Sequence, residues 1–178
     1  FFNSGTMEIN DVHSTISPSM DIQISSNFER LLFDMYDRNG TAVKNSIDAF
    51  RKTGKFNVSE PQIKQACNLF DSAHFDDTET EAMIVQVLEE TGELLDPHSA
   101  VGVAAGRAKR GKIEIPMIAL ATASPAKFPS AVKNATGIHP KLPPHMSDLF
   151  DRDEKMYTLE NNLEQVRSHI ISILEDSY

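Results

Sequence analysis

Twice in this chain an apolar run leads up to a helix-capping residue followed at once by proline. Glu93-Leu94-Leu95 runs into Asp96-Pro97, and Ile115-Pro116-Met117-Ile118-Ala119-Leu120-Ala121 runs through Thr122-Ala123 into Ser124-Pro125. Asp and Ser accept the orphan amides of a first helical turn, and proline suits the first helical position. Each pair marks a strand giving way to a helix. The first helix, His98 to about Arg110, is built of Ala, Gly and Val, small enough to pack closely on both sides, and Gly111 ends it. The second ends near Gly137. The run at 115–121 shows no polar alternation, the pattern of a strand buried in a parallel sheet. Pro116 is tolerated there because it lies near the strand's start. Residues 93–137 therefore predict strand, helix, strand, helix: a right-handed βαβ unit with a helix added, and an α/β fold class with parallel strands.

Upstream, from about 26 to 92, the apolar period is helical. Ser26 and Glu29 form a capping box, and Phe28, Leu31, Leu32, Met35 and Tyr36 follow on one face. Thr41 caps a second helix carrying Val43, Ile47 and Phe50, with Gly54 as its stop. Ser59-Glu60-Pro61-Gln62 caps a third, whose Ile63, Ala66, Cys67 and Phe70 face inward, so Cys67 is expected in the core. Asp77 opens a fourth, with Met83, Ile84, Val87 and Leu88 as its stripe and Gly92 as its stop. Residues 1–25 read as irregular, with Ser14 to Asp21 a loop leading to a short strand. Residues 138–157, with Pro140, Pro143 and Pro144, read as a surface loop. Leu163, Val166, Ile170, Ile173 and Leu174 stripe a closing helix. The divisions expected are 1–25, 26–92, 93–137 and 138–178.

Composition removes several classes of function. With 17 Lys+Arg against 26 Asp+Glu the net charge is −9, which argues against a general nucleic-acid binder. One cysteine excludes an internal disulfide framework and a cysteine-rich zinc site. The six histidines show no metal-ligand spacing. No apolar run approaches the roughly 20 residues of a membrane helix. A cytoplasmic protein without metal, nucleic-acid or membrane partners is expected. The opening Phe1-Phe2-Asn3-Ser4-Gly5 has no initiator methionine, basic region or cleavage pattern. It reads as a longer polypeptide entered part-way through.

Ligands of open α/β sheets bind beyond the carboxyl ends of the strands. Two such ends share one rim: Leu95-Asp96-Pro97-His98-Ser99 and Leu120-Ala121-Thr122-Ala123-Ser124-Pro125. Each offers hydroxyls or an imidazole beside the free amides of a helix N-terminus, which suit an anion. Capping alone accounts for Asp96 and Ser124, whereas Thr122 lies inside the rim and is not needed as a cap. Ser19 to Asn27 is dense in short polar side chains, as is a polar turn before a capped helix. Arg30, just after it, can reach a phosphate or carboxylate, although a surface ion pair is the commoner fate of such an arginine. Arg107, Lys109, Arg110 and Lys112 suit a helix C-terminus meeting its dipole, and the acidic stretch 71–93 suits a solvated helical face. No phosphate-binding glycine loop and no Gly-x-Ser-x-Gly turn occurs.

Ser17-Pro18-Ser19-Met20-Asp21-Ile22-Gln23-Ile24-Ser25-Ser26-Asn27-Phe28-Glu29-Arg30-Leu31-Leu32-Phe33 closely resembles a signature of the longer, microbial type of threonine synthase. So do Asp76 to Thr80, Leu94-Leu95-Asp96-Pro97-His98-Ser99-Ala100-Val101-Gly102-Val103, Ala121-Thr122-Ala123-Ser124-Pro125-Ala126-Lys127-Phe128-Pro129, Ala135-Thr136-Gly137 and Asp148 to Arg152. The matches run in order along nearly the whole chain. Two positions depart: Ser124 stands where that family usually has His, and Glu93 where it usually has Tyr.

The resemblance implies a pyridoxal phosphate (PLP) enzyme of fold type II. Such an enzyme converts O-phospho-L-homoserine and water to L-threonine and phosphate. It implies that Thr122 faces the pyridine nitrogen with a hydroxyl, leaving that nitrogen largely unprotonated. Ser25, Ser26, Asn27 and Arg30 are implied as the substrate-side wall, with Lys127 meeting phosphate. The family's Schiff-base lysine, in a Ser-Phe-Lys context, and its glycine-rich cofactor loop lie upstream of these motifs, and neither pattern occurs in the 178 residues. Lys127 precedes a phenylalanine but belongs to the later motif and is not read as that lysine. The chain thus resembles the C-terminal portion of the enzyme, with the N-terminal part of the same polypeptide as its partner, and is expected to be inactive in isolation. Two other readings stand beside it: another fold type II PLP lyase such as a threonine dehydratase-like enzyme, against which the 17–33 run argues, and a non-catalytic α/β interaction module.

Overall fold

Caps and left-handed glycines set most of the boundaries in the computed structural model, which describes residues 1–25 and 27–175. Helix α1 (Phe28–Met35) buries Leu32 and Met35; the Ser26 end of its expected capping box lies outside the described residues. Asp37 and Arg38 then adopt positive φ, and Asn39 rather than Thr41 caps α2 (Gly40–Thr53), its side chain accepting from the Ala42 amide at 3.1 Å. The cap falls two residues early because Asn39 already offers an oxygen at the offset the amides need. Gly54, at φ 75°, ends α2 by returning its amide to Phe50. In α3 (Glu60–Cys67) the Gln62 carboxamide oxygen accepts both the Ser59 amide and the Ser59 hydroxyl. In α4 (Asp77–Thr91) Asp76 and Glu79 exchange the two bonds of a capping box, and Gly92 stops the helix at φ 78°. α5 (Pro97–Lys109) starts on Asp96, and α6 (Pro129–Thr136) ends on Gly137 at φ 75°. Ser124 opens only a 3-10 turn, Pro125–Lys127, ahead of α6.

Two cores lie within Phe1–Pro143, one of the chain's two units. In the first, α1, α2 and α3 gather Leu32, Met35, Val43, Ile47, Phe50 and Ala66 around Phe56. Phe56 comes from a two-stranded antiparallel sheet, β1 (Thr6–Glu8) on β2 (Lys55–Asn57), in which Met7 faces Phe56. The Phe50 and Phe56 rings meet edge to face at 5.4 Å, and Phe1 meets Phe28 likewise at 4.7 Å. Each fully buried Leu or Phe here contributes about 1.5–3 kcal/mol over its exposed state. In the second core α4 packs on α5 and α6. Buried in these three helices are Ile84 and Val87 of α4, Ala100, Val101 and Ala104 of α5, and Val132 of α6, which is fully buried.

The structure corrects several expectations. Cys67 is exposed, not core. α3 is covered along one edge only, so Ala66 is buried while Cys67, next round the turn, faces out. Residues 1–25 hold their strand at Thr6–Glu8 instead of after the 14–21 loop, where Pro18–Met20 form a 3-10 turn. Neither 93–95 nor 115–121 forms a strand, and the sheet among the described residues is antiparallel, not parallel. The reason is local. A parallel strand owes its hydrogen bonds to neighbours brought in from elsewhere, and among the described residues no strand flanks these runs. Residues 111–121 are exposed throughout, Ile118 by 81% and Leu120 by 74%. The chain is thus a mixture of helices and a small sheet. No helix among the described residues is long and apolar enough to cross a membrane, and no cluster of metal-ligating side chains occurs among them.

The second unit, Pro144–Tyr178, has 3-10 turns at Pro144–Met146 and Leu149–Asp151 and a closing helix, α7 (Leu163–Glu175). Leu163 and Ile170 on its stripe are exposed.

Candidate functional site

The N-terminus of α5 holds a buried polar network, and a single carboxylate organises it. Asp96 is fully buried. It accepts the backbone amides of His98 (2.9 Å) and Ser99 (3.3 Å), the standard duty of a cap. It also accepts two side-chain donors: His98 Nδ1 at 3.0 Å, and the Ser99 hydroxyl in a short contact. A carboxylate facing Nδ1 places the imidazole proton there. Nε2 is then an acceptor, and it receives the Ser19 amide at 3.2 Å. The Ser99 oxygen, donating to Asp96, accepts the Thr122 amide at 3.2 Å. His98 and Ser99 are themselves buried, and the Phe128 ring lies against the imidazole at 4.6 Å.

Two segments outside the α-helices and the sheet are docked this way. The 15–21 loop is first closed on itself: Asp21 accepts the Thr15 amide (2.9 Å) and hydroxyl (2.8 Å). It is then held at two helix N-termini, by Asp77, which takes the Ile16 amide at 3.1 Å, and by His98 through Ser19. The Thr122 segment is held by Ser99. Thr122 itself is exposed, and its hydroxyl has no partner among the described residues. Ser124 accepts the Ala126 amide at 3.3 Å and acts as a cap.

The other expected site residues fall into separate surroundings. Asn27 and Arg30, both exposed, line one groove of about 430 Å³ with Leu31 and Phe70. Arg30 also borders a larger one of about 760 Å³ with Arg38, Lys44 and Arg51. Ser25 is half-buried, and Ser26 lies outside the described residues. Lys127 is exposed on a shallow pocket with Ile16 and Phe128, its Nζ 5.6 Å from the Phe128 ring. Thr122 lines none of these three. Among the described residues, no buried side-chain polar atom of the chain is left without a partner. The basic cluster is engaged elsewhere: Arg107 pairs with Glu90, and Lys109 with Asp71 at 3.0 Å.

The sequence marks Asp96 as a cap and no more: its links through His98 to Ser19 and through Ser99 to Thr122 span 79 and 23 residues and leave no local signal. The one clue was chemical, an imidazole and a hydroxyl at the two positions whose amides a cap engages.

Comparison with known proteins gives a consistent picture. Residues 99–170 match the family model described as "Threonine synthase, C-terminal". The chain is 45% identical over 171 residues to a threonine synthase of Pseudomonas aeruginosa, an alignment covering 96% of this chain and 36% of that protein. The crystal structure of PLP-bound threonine synthase from Brucella melitensis superposes with a TM-score of 0.81 at 44% identity, over 95% of this chain and 36% of that one. The yeast threonine synthase structure gives 0.78 at 34% identity, over 99% of this chain and 40% of that one. The chain therefore spans about two fifths or less of the length of these relatives.

Proposed function

This chain belongs to the threonine synthase family, aligning with its C-terminal part, and from that premise we propose that it supplies part of the active site of an enzyme converting O-phospho-L-homoserine and water to L-threonine and phosphate. The observation that carries this is the alignment itself: 95–99% of the chain superposes on enzymes of that name with TM-scores of 0.78–0.81.

The residues present fit one edge of pyridoxal phosphate. Thr122 is exposed, with a hydroxyl that has no partner among the described residues, on a backbone pinned by Ser99. A hydroxyl donates to a neutral ring nitrogen, where a carboxylate would stabilise the protonated ring. When bound, the cofactor supplies the electron sink for the reaction, and the protein supplies orientation and electrostatics. Thr122 orients the ring at its nitrogen. Asn27 and Arg30, in one groove, suit the carboxylate or phosphate of the substrate, with Ser25 and Ser26 beside them in sequence. Lys127 supplies a further exposed cation for phosphate. The lysine that carries the cofactor belongs, in this proposal, to the part of the enzyme this chain does not span. The chain alone is then inactive. The apolar runs at 94–95 and 115–121 then complete parallel strands of a fold type II large domain, in a cytoplasmic enzyme.

The test is to incubate the full-length polypeptide carrying this chain with PLP, reduce with borohydride and map the labelled peptide. Label on a lysine outside these 178 residues is expected. Stoichiometric label on Lys127, or no label at all, overturns the proposal.

A further inference from the structure

Capping a helix needs one oxygen at the first free amides. Asp96 does this and more: its two oxygens hold four donors, and the two side-chain donors each fix a second segment. Through His98 it fixes Ser19, six residues ahead of Ser25 in the proposed substrate wall; through Ser99 it fixes Thr122, the proposed cofactor contact. These links are surplus to capping. They are also directional. The imidazole accepts Ser19 only while its proton faces Asp96, and the Ser99 oxygen accepts Thr122 while its own hydrogen is given to Asp96. The inner half of each arm is shielded from competing water, since Asp96, His98 and Ser99 are all buried, while the outer bonds to Ser19 and Thr122 are part-buried.

We propose that Asp96 is a positioning residue of the active site, setting the substrate-side loop through His98 and the Thr122 contact through Ser99. The inference rests on the threonine synthase reading for what the two arms serve, and on the hydrogen-bond geometry for their existence.

The two arms separate in an experiment on the full-length polypeptide. Ser99→Ala cuts the Thr122 arm and leaves His98 on Asp96. His98→Phe cuts the Ser19 arm and keeps a ring against Phe128. Hydrogen exchange of the cofactor-free protein, read by mass spectrometry over peptides 15–21 and 117–123, is expected to quicken only at 117–123 in Ser99→Ala and only at 15–21 in His98→Phe. With cofactor added, Ser99→Ala is expected to weaken PLP binding about tenfold, the size of one lost hydrogen bond, with KM for the phosphorylated substrate within about twofold. His98→Phe is expected to raise KM about tenfold, with PLP affinity within about twofold. Ser99→Thr, which keeps the hydroxyl, restores PLP affinity. Equal movement of both parameters in both variants, or exchange unchanged at both peptides, refutes the positioning role and leaves Asp96 a cap. Should His98→Phe fail to fold, Ser99→Ala with its threonine rescue decides the matter. Wild-type protein that releases no phosphate from O-phosphohomoserine would sink the threonine synthase reading instead, while the exchange result would still stand or fall on its own.

Discussion

Replacing Asp96 by alanine and by asparagine separates its several duties by their effect on stability. Alanine removes the acceptor for four donors: the His98 and Ser99 amides, the His98 Nδ1 proton and the Ser99 hydroxyl. Loss of the cap costs about 1 kcal/mol. The imidazole cannot relieve itself by moving its proton to Nε2, because the Ser19 amide already points there at 3.2 Å. One buried donor is then left unmet, at about 1–3 kcal/mol. The Ser99 hydroxyl can rotate towards the backbone carbonyl of residue 96, three positions back, so it adds little. The total is about 3 kcal/mol. Asparagine keeps one oxygen, which in the Oδ1 place still holds the His98 amide and the His98 Nδ1 proton and so still caps; the Ser99 amide and hydroxyl lose their acceptor, at about 1–1.5 kcal/mol. Urea unfolding of the three proteins, compared by midpoint at a common slope, measures both values. An alanine variant within 0.5 kcal/mol of the asparagine variant would mean that the side-chain links carry nothing, and would refute the reasoning.

Ile84→Ala, at a fully buried position between α4 and its partners, is expected to cost about 3 kcal/mol in the same assay; a cost below about 1 would place Ile84 outside the core. Gly92→Ala should destabilise by about 1–2 kcal/mol through backbone strain alone, since φ is 78° and a Cβ there meets nothing within 4 Å. Gly102→Ala, inside α5 and equally unobstructed, should instead stabilise by about 0.5–1 kcal/mol. The same sign for both would remove the conformational argument. The Arg107 guanidinium, with the Gln86 amide behind it, holds the Glu90 carboxyl below its ordinary value. A depressed carboxylate adds stability that is present above its unfolded value and lost as pH falls through the folded one. Acid titration of the unfolding midpoint from pH 6 to 3 should therefore fall less steeply in Arg107→Gln than in wild type, and superimposable curves would contradict the assignment.

Helices were legible in this sequence because their ends are written locally. The Ser59–Gln62 pair and the glycines at 54, 92 and 137 each act within one turn, and each stands where the period requires; at α4 the expected opening residue, Asp77, is the first of the helix and Asp76 is its cap. Asn39 was missed because the turn before it spends two non-glycine residues, Asp37 and Arg38, in the left-handed region, which no composition rule foresees. The strands were not legible. β1 and β2 are three residues each, too short for alternation to register, and their paired residues lie 47 to 51 positions apart. The run at 115–121 carries the composition of a buried strand and yet lies exposed, because composition states a preference for burial while strand structure also needs an edge to bond to. At the site, Thr122 stands out in the sequence because it is not needed as a cap; that its amide is held by Ser99, 23 residues back, has no local signal. Ser19 was one polar residue among many until the tertiary fold brought it to His98.

The most direct measurement supplies the full-length polypeptide carrying this chain with PLP and O-phospho-L-homoserine and follows inorganic phosphate and L-threonine together. Equal amounts of the two, both abolished when PLP is removed, are predicted. Consumption of threonine to a 2-oxo acid and ammonia, with no phosphate released from the phosphorylated substrate, would contradict the account and assign the chain to a dehydratase chemistry instead.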